Sequence, residues 1–293
     1  MSEMLSLEYL ASSEWNGKIA RLIALEGKPR VQALFDMFSH ALRSDEMMLF
    51  HFRGNAGPEI VEHRTSKSIR EQQINDYKNG FYLTDPFYLA IERSTENQAI
   101  SLRDVVDQED FQTSDFFVRH YVDTDLADEM CYCMSDSQGG RILLSFARSR
   151  DAGLYTDEEL ELAKAIAPIA FGTLSSSWRH LVDPKHLIPP SPEEVKLHDD
   201  LKRARDNFGR SLLTDREFEV VQMMLRGYPI DVIAKRLKMA EGTAKVHRRN
   251  IYAKLDISSM AELFSLFIDV VGEVNVGLDA DPLLQYGQVP SSN

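Results

Sequence analysis

Residues 213–257 read LTDREFEVVQMMLRGYPIDVIAKRLKMAEGTAKVHRRNIYAKLDI, and the order of apolar, charged and turn residues in this stretch decides how the chain is read. Thr214 stands at the N-cap of an expected helix over Leu212–Leu225, and Glu217 follows three residues later, the spacing of a capping box. Phe218, Val221, Met224 and Leu225 recur at helical spacing, and Gly227 stands where a helix commonly ends. A short amphipathic segment, Ile230–Leu237, follows with Ile233, Ala234 and Leu237 on its apolar side. After the break KMAE a third helix is expected over Gly242–Leu255. Its inward side is Ala244, His247, Ile251 and Leu255, and its other side carries Lys245, Arg248, Arg249 and Tyr252.

A short helix, a tight turn and a second helix with a basic face make a helix-turn-helix arrangement. The major groove of a duplex admits one α-helix. Cations along such a face displace condensed counterions and supply much of the affinity. The same stretch strongly resembles the helix-turn-helix domain of LuxR-type regulators over about 60 residues. Leu213, Thr214, Arg216, Glu217, Glu219 and Val220 carry its first part. Gly227, Ile233, Ala234 and Leu237 carry its middle, and Thr243, Lys245, His247, Asn250, Ile251, Lys254 and Leu255 its last helix. The chain departs from the family pattern at Pro229 and Ile230, where a serine-asparagine pair is usual, at Ala240, usually a capping serine, and at Ala244, usually valine. Replacing a cap by alanine costs about 0.5–2 kcal/mol, and Glu241 offsets part of that at the helix dipole.

The resemblance puts Lys245, Val246 and Arg249 against base edges in double-stranded DNA, and their spacing places them on adjoining parts of one face. It leaves Thr243, Arg248 and Asn250 for phosphate contacts or helix support, and His247 reads as structural. A fourth helix is expected over Ser258–Val271. In the resembling family the equivalent helix forms a two-fold dimer interface, which would fall here on Leu263, Phe264, Phe267 and Val270; the alternative is that this stripe is intradomain core.

Upstream, helical and strand patterns alternate. Lys18–Arg43 reads as helix interrupted at Pro29, Met47–Arg53 and Glu59–Arg64 as strands, Glu129–Ser135 and Arg141–Arg148 as a hairpin, and Thr156–His180 as a long helix. Ser66–Arg93 reads as mixed and mostly helical. An antiparallel sheet covered by helices follows from that order. The run from Tyr77 through Asp85, Pro86, Phe87 and Tyr88, with the hairpin and the helix TDEELELAKAIAPIA, resembles GAF/PAS-like sensor domains and, more narrowly, the autoinducer-binding domain of LuxR-type regulators. In that family a tryptophan upstream of the Asp-Pro pair binds the lactone ring and the aspartate accepts the ligand's amide proton. Here the upstream position holds Gln72, and the later family tryptophan is missing near Ile100; both departures argue against an acyl-homoserine lactone. Asp85 matches the aspartate, with a cap or turn role as its alternative. A small-molecule pocket would be walled by Tyr77, Tyr82, Asp85, Tyr88, Phe117 and Tyr121, although such an aromatic cluster also reads as plain core.

The whole sequence has 293 residues and a net charge of −13, which taken alone argues against a nucleic-acid partner. The charge is uneven: Arg210–Ile257 holds ten Lys or Arg against six Asp or Glu, a balance of +4, so the rest carries −17. Two cysteines exclude a disulfide framework, and Cys131 and Cys133 alternate as strand residues facing one core side, too few for a zinc site. No run of about 18 apolar residues exists, and the start carries acids without a basic n-region, so a cytoplasmic protein is expected. No GxxxxGK, HExxH or GxSxG occurs, and receiver-type phosphorylation spacing is missing, so neither an enzyme nor a bound cofactor is expected. The expected fold is α+β: an N-terminal α-β-α sandwich over 1–181, a proline-rich linker over 182–194, an all-α four-helix DNA-binding domain over 195–271 and a fraying tail over 272–293. The function expected is a DNA-binding transcriptional regulator, a homodimer with RNA polymerase as a further partner. Its N-terminal domain either senses a small molecule or serves dimer and protein contacts without one.

Overall fold

Strict alternation along the central strands buries both faces of one sheet, and that fixes the N-terminal architecture. The computed structural model describes residues 6–53, 57–64, 74, 77–78, 81–92, 96–106, 117–122, 124–136, 139–181, 191–226, 228, 230–273 and 280–286. The chain opens with α1 (Leu7–Leu10), α2 (Ser13–Ala24) and α3 (Gly27–Leu42), followed by strands β1 (Glu46–Phe52) and β2 (Pro58–Arg64). A 3-10 turn (Phe81–Thr84) leads to α4 (Pro86–Ile91), β3 (Gln98–Ser101) and α5 (Leu102–Val105). After a π-helical turn (Phe117–Val122) come β4 (Leu126–Ser135), β5 (Arg141–Ser149) and the long α6 (Asp157–Leu181).

The five strands lie in the order β2-β1-β5-β4-β3, and every pairing is antiparallel. On one face Met47, Leu49, Met130, Tyr132, Ile142, Leu144 and Phe146 pack with Leu34, Phe38, Ala163 and Leu174 of α3 and α6. On the other face Phe50, Phe52, Cys131, Cys133, Leu143 and Ala147 meet the aromatic residues of the α4 region. The expected sandwich is present.

Local expectations hold with small shifts. The break in the first long helical pattern falls at Leu25 and Glu26, not at Pro29. Gly27 takes φ 57° at the junction, and Pro29 sits in the first turn of α3, where its missing N–H has no intrahelical partner to lose. The strand β3 had no sequence expectation, being only four residues long. Most of the Ser66–Arg93 expectation lies outside the described residues.

A buried charge pair locks the hairpin to α6. Arg148 is 1% exposed. Its Nη1 and Nη2 donate to Glu159 at 3.0 and 2.8 Å, its Nε donates to the Leu42 carbonyl at 2.9 Å, and its guanidinium lies 3.8 Å from the Tyr155 ring centre. Burial pushes the Glu159 carboxyl up, but hydrogen bonds from Arg148 and the Thr156 backbone outweigh it and hold it below the usual carboxylate range.

The C-terminal part consists of α7 (Pro192–Asn207), α8 (Asp215–Leu225), α9 (Ile230–Arg236), α10 (Glu241–Leu255), α11 (Met260–Glu273) and α12 (Pro282–Tyr286). Residues 182–190 of the expected linker lie outside the described residues, while Pro192 opens α7 as expected of a first-turn proline. The expectation of a fraying tail fails at 280–286. Asp281 is buried and accepts from the backbone N–H groups of Gly209 and Ser211 at 3.0 and 2.8 Å. This short segment thereby satisfies the turn between α7 and α8, a role that the carboxylate's position far along the chain does not reveal.

Three variants test these contacts. Arg148→Met leaves Glu159 buried without its partner and is expected to cost about 3–5 kcal/mol, read as a lowered urea midpoint of the full chain. Thr214 accepts from the Glu217 backbone while Glu217 accepts from Thr214, closing the expected capping box. Thr214→Ala is expected to cost about 1 kcal/mol, read by thermal unfolding. The Glu217 carboxyl is pushed up by burial, but the bonds from Lys254 and Thr214 prevail and hold it below its ordinary value of 4.5. A depressed folded value means stability that is full above the unfolded value and is lost as pH falls through the folded one. Glu217→Gln should therefore flatten the stability profile below about pH 4.5 and leave its slope near neutrality unchanged.

Candidate nucleic-acid interface

The C-terminal helices are seated by small apolar contacts. Val220, Val221, Met224 and Leu225 of α8, Ile233 and Ala234 of α9, and Ala244 and Ile251 of α10 are all buried in one core. Val221, Ala244 and Ile251 are wholly inaccessible. Lys254 Nζ lies 2.6 Å from Glu217 Oε2, so the end of α10 is clamped to the capping box that starts α8. Seated in this way, α10 can present only its opposite side outward.

That side is the one expected. Thr243, Lys245, Val246, Arg249 and Asn250 are exposed, and Arg248 is half-buried. Val246 is 45% exposed. His247 is half-buried with its Nδ1 buried and without a hydrogen-bond partner, as a structural residue on the inward side would be. Ala240 caps α10 with no side-chain hydrogen bond, as its identity dictates. Gly227 and Pro229 lie outside the described residues; Tyr228 between them is half-buried.

The helix α11 corrects one expectation. Leu263, Phe264, Phe267 and Val270 are 0, 8, 1 and 0% exposed within a single chain. They face the core, where Phe267 meets Phe208, the residue after α7, edge to face at 5.6 Å. The intradomain alternative holds for this stripe. A contact with a second copy would have to use the half-buried Leu266, Ile268 and Val271 instead. Helical periodicity alone cannot say which of two apolar stripes on one helix faces inward.

In the N-terminal unit the residues read as pocket walls do come together. Tyr77, Tyr82, Asp85, Tyr88 and Tyr121 are buried in one cluster with Phe50, Phe52 and Phe87. The side chain of Phe117 lies outside the described residues. Asp85 is the N-cap of α4: its Oδ1 accepts from the Phe87 N–H at 2.8 Å and its Oδ2 from the Tyr77 hydroxyl at 2.6 Å. Burial and the nearby Glu129 push its carboxyl up to about 6. Glu129, which the sequence reading missed, accepts from the Tyr121 hydroxyl at 2.7 Å and from Ser145, and lies 3.3 Å from His120 Nε2. A strand glutamate between Asp128 and Met130 gives no sequence signal of such a network. Cys131 and Cys133 are free, buried thiols on this face. Among the described residues no group of three or more His, Cys, Asp or Glu is placed to hold a metal ion, and no helix is long and apolar enough to cross a membrane.

The two units touch through a charged contact that sequence reasoning also missed. Glu92, at the end of α4, accepts from the Tyr88 hydroxyl at 2.9 Å. It also pairs with Lys202 Nζ at 3.2 Å and Arg205 Nη1 at 3.1 Å, both on α7. The Arg205 carbonyl in turn accepts from Gln222 Nε2 of α8 at 2.8 Å. A chain of contacts therefore runs from the aromatic cluster through α7 to α8.

Residues 211–267 match the GerE family, the bacterial regulatory proteins of the luxR family. A protein of Aeromonas salmonicida, named as an HTH-type transcriptional regulator in the exeN 3′ region, is 25% identical over 193 residues, which cover 66% of this chain and 97% of that protein. The nitrate/nitrite response regulator protein NarP of Escherichia coli is 36% identical over 75 residues, 24% of this chain and 35% of that protein. Among solved structures, the LBD domain of VqsR from Pseudomonas aeruginosa matches with a TM-score of 0.50 at 20% identity, covering 59% of this chain and all of that one. That last likeness is one of fold alone. The helices built around Thr214, Glu217, Ala244 and Ile251 are thus a LuxR-type helix-turn-helix, and the chain carries over residues 211–267 the DNA-binding domain of the luxR family of bacterial regulatory proteins.

Proposed function

We propose that α10 enters the major groove of a duplex, with Lys245, Val246 and Arg249 at base edges and Thr243, Arg248 and Asn250 toward the phosphates. The observation that carries this reading is the exposure of one cationic side of α10, held outward by the buried Ala244 and Ile251. An Arg or Lys facing guanine meets the O6 and N7 acceptors, a contact worth about 1–3 kcal/mol of discrimination. The regulator binds as a homodimer on two half-sites about one helical turn apart. It acts in the cytoplasm, with RNA polymerase as a further partner, and binds without catalysing a reaction. The unit over 1–181 controls the unit over 195–271 across the segment 182–194.

In this reading the N-terminal unit senses a small molecule at the cluster of Tyr77, Tyr82, Asp85, Tyr88, Phe117 and Tyr121. A ligand acts only through unequal affinity for DNA-competent and DNA-incompetent arrangements. The contact of Glu92 with Lys202 and Arg205 supports such coupling, since it ties Tyr88 of the cluster to α7. One observation favours the second reading, an N-terminal unit that dimerises or meets a protein partner and takes no ligand. The polar groups of the cluster satisfy one another, Tyr77 with Asp85 and Tyr121 with Glu129. Thermal unfolding of the full chain against a metabolite library, with native mass spectrometry of hits, separates the two. A saturable rise in midpoint with a bound mass supports sensing, and a flat response across the library supports the second reading.

Lys245→Ala combined with Arg249→Ala should abolish specific binding to promoter fragments in fluorescence anisotropy while the circular dichroism spectrum stays unchanged. Arg248→Ala should weaken binding evenly across sequences and lower the slope of log affinity against log salt by about one. Unaltered affinity in the double variant would remove α10 as the reading element.

A further inference from the structure

The recognition face carries one residue that a phosphate-seeking surface should not have. Glu241 is the first residue of α10 and the only carboxylate in its sequence EGTAKVHRRNIYAKL. Its Oε1 lies 2.8 Å from Lys245 Nζ, and the two side chains are 53% and 54% exposed. Steps of four put Glu241, Lys245 and Arg249 along one ridge of the helix. An exposed pair at this spacing adds only a few tenths of a kcal/mol to a helix, and a carboxylate at the helix N-terminus about 0.3–1 kcal/mol more, small gains beside a negative charge held against a phosphate backbone.

The pair makes sense against base edges. In the major groove a G·C pair offers the O6 and N7 acceptors of guanine beside the N4 amino donor of cytosine, and adenine offers an N6 amino group. A donor and an acceptor 2.8 Å apart on one ridge match a guanine acceptor next to an amino group. The first turn of a recognition helix is also the part that reaches base edges in helix-turn-helix complexes. A sequence without that amino group leaves the carboxylate desolvated and unpaired near phosphates, so wrong sites are penalised more than right ones are favoured.

We propose that Glu241 is a specificity residue that accepts a hydrogen bond from the exocyclic amino group of a base, cytosine N4 or adenine N6, beside the base that Lys245 reads. This rests on α10 being the recognition helix. The test is in vitro selection of randomised duplexes with the full-length chain, its Glu241→Gln and Glu241→Ala variants, and the Lys245→Ala variant. The wild-type chain is expected to select cytosine or adenine at one position of each half-site, which identifies the amino group used. Glu241→Ala, which removes the acceptor, should lose about tenfold of the preference there and keep it elsewhere; Glu241→Gln, which keeps an acceptor oxygen and adds a donor, should move the preference there toward adenine; both should bind unrelated duplex more tightly. Lys245→Ala should relax the neighbouring position. An unchanged motif in both Glu241 variants, with affinity raised evenly on all sequences, would overturn the proposal while leaving α10 as the reading element. A wild-type chain that selects no motif would overturn both.

Discussion

The seating of α10 is the constraint on which the DNA-binding unit depends. Ala244 and Ile251 have no exposed surface, and a helix buried on that side must turn Lys245, Val246 and Arg249 outward. The clamp from Lys254 to Glu217 fixes the far end of the helix to the capping box of α8. The same Glu217 accepts from Thr214 and Lys254, so helix initiation and placement of the outward face share one carboxylate. Small groups suffice at the seat because α8, α9 and α10 close on one another there; Ala244, smaller than the usual valine, is still wholly buried.

The N-terminal unit obeys a different constraint. Its sheet is covered on both sides, so each strand must supply apolar groups to two cores. Aliphatic residues with Phe38, Tyr132 and Phe146 serve the α3 and α6 side. The other side gathers tyrosines and two buried carboxylates, Asp85 and Glu129, whose charges are met by hydroxyls and amides. Fully satisfied networks of this kind rigidify a core, and a half-satisfied one would destabilise it. Glu92 lies at the edge of this network and is pushed up by burial, but Arg205 and Lys202 hold it below the carboxylate range. The contact between the two units is thus electrostatic at its centre, and the apolar cluster continues across it to Leu201 and Phe208.

Much of this was legible in the sequence because it rests on local rules. Thr214 with Glu217, the period of Phe218 to Leu225, and Ala244 with Ile251 each depend on residues within one or two turns, and each reappears in the structure. The hairpin and the long α6 follow from alternation and a capped acidic start. What was not legible involves partners far apart in the chain: Asp281 with the turn at Gly209, Arg148 with the Leu42 carbonyl, Glu92 with Arg205. The sequence leaves the stripe of α11 open between a dimer contact and intradomain core because both of its faces carry apolar residues. The role of Asp85 remained open in sequence for a physical reason, since an aspartate before proline suits a cap and a ligand contact equally, and in the fold it caps α4.

The central claim is that the outward side of α10 is the surface that meets duplex DNA. Amide hydrogen exchange of the full chain, with and without a bound promoter duplex, tests it most directly. The account predicts new protection concentrated in peptides spanning 241–252, with α3 and the sheet unchanged. Protection confined to the N-terminal unit, with exchange over 241–252 untouched by DNA, would contradict it.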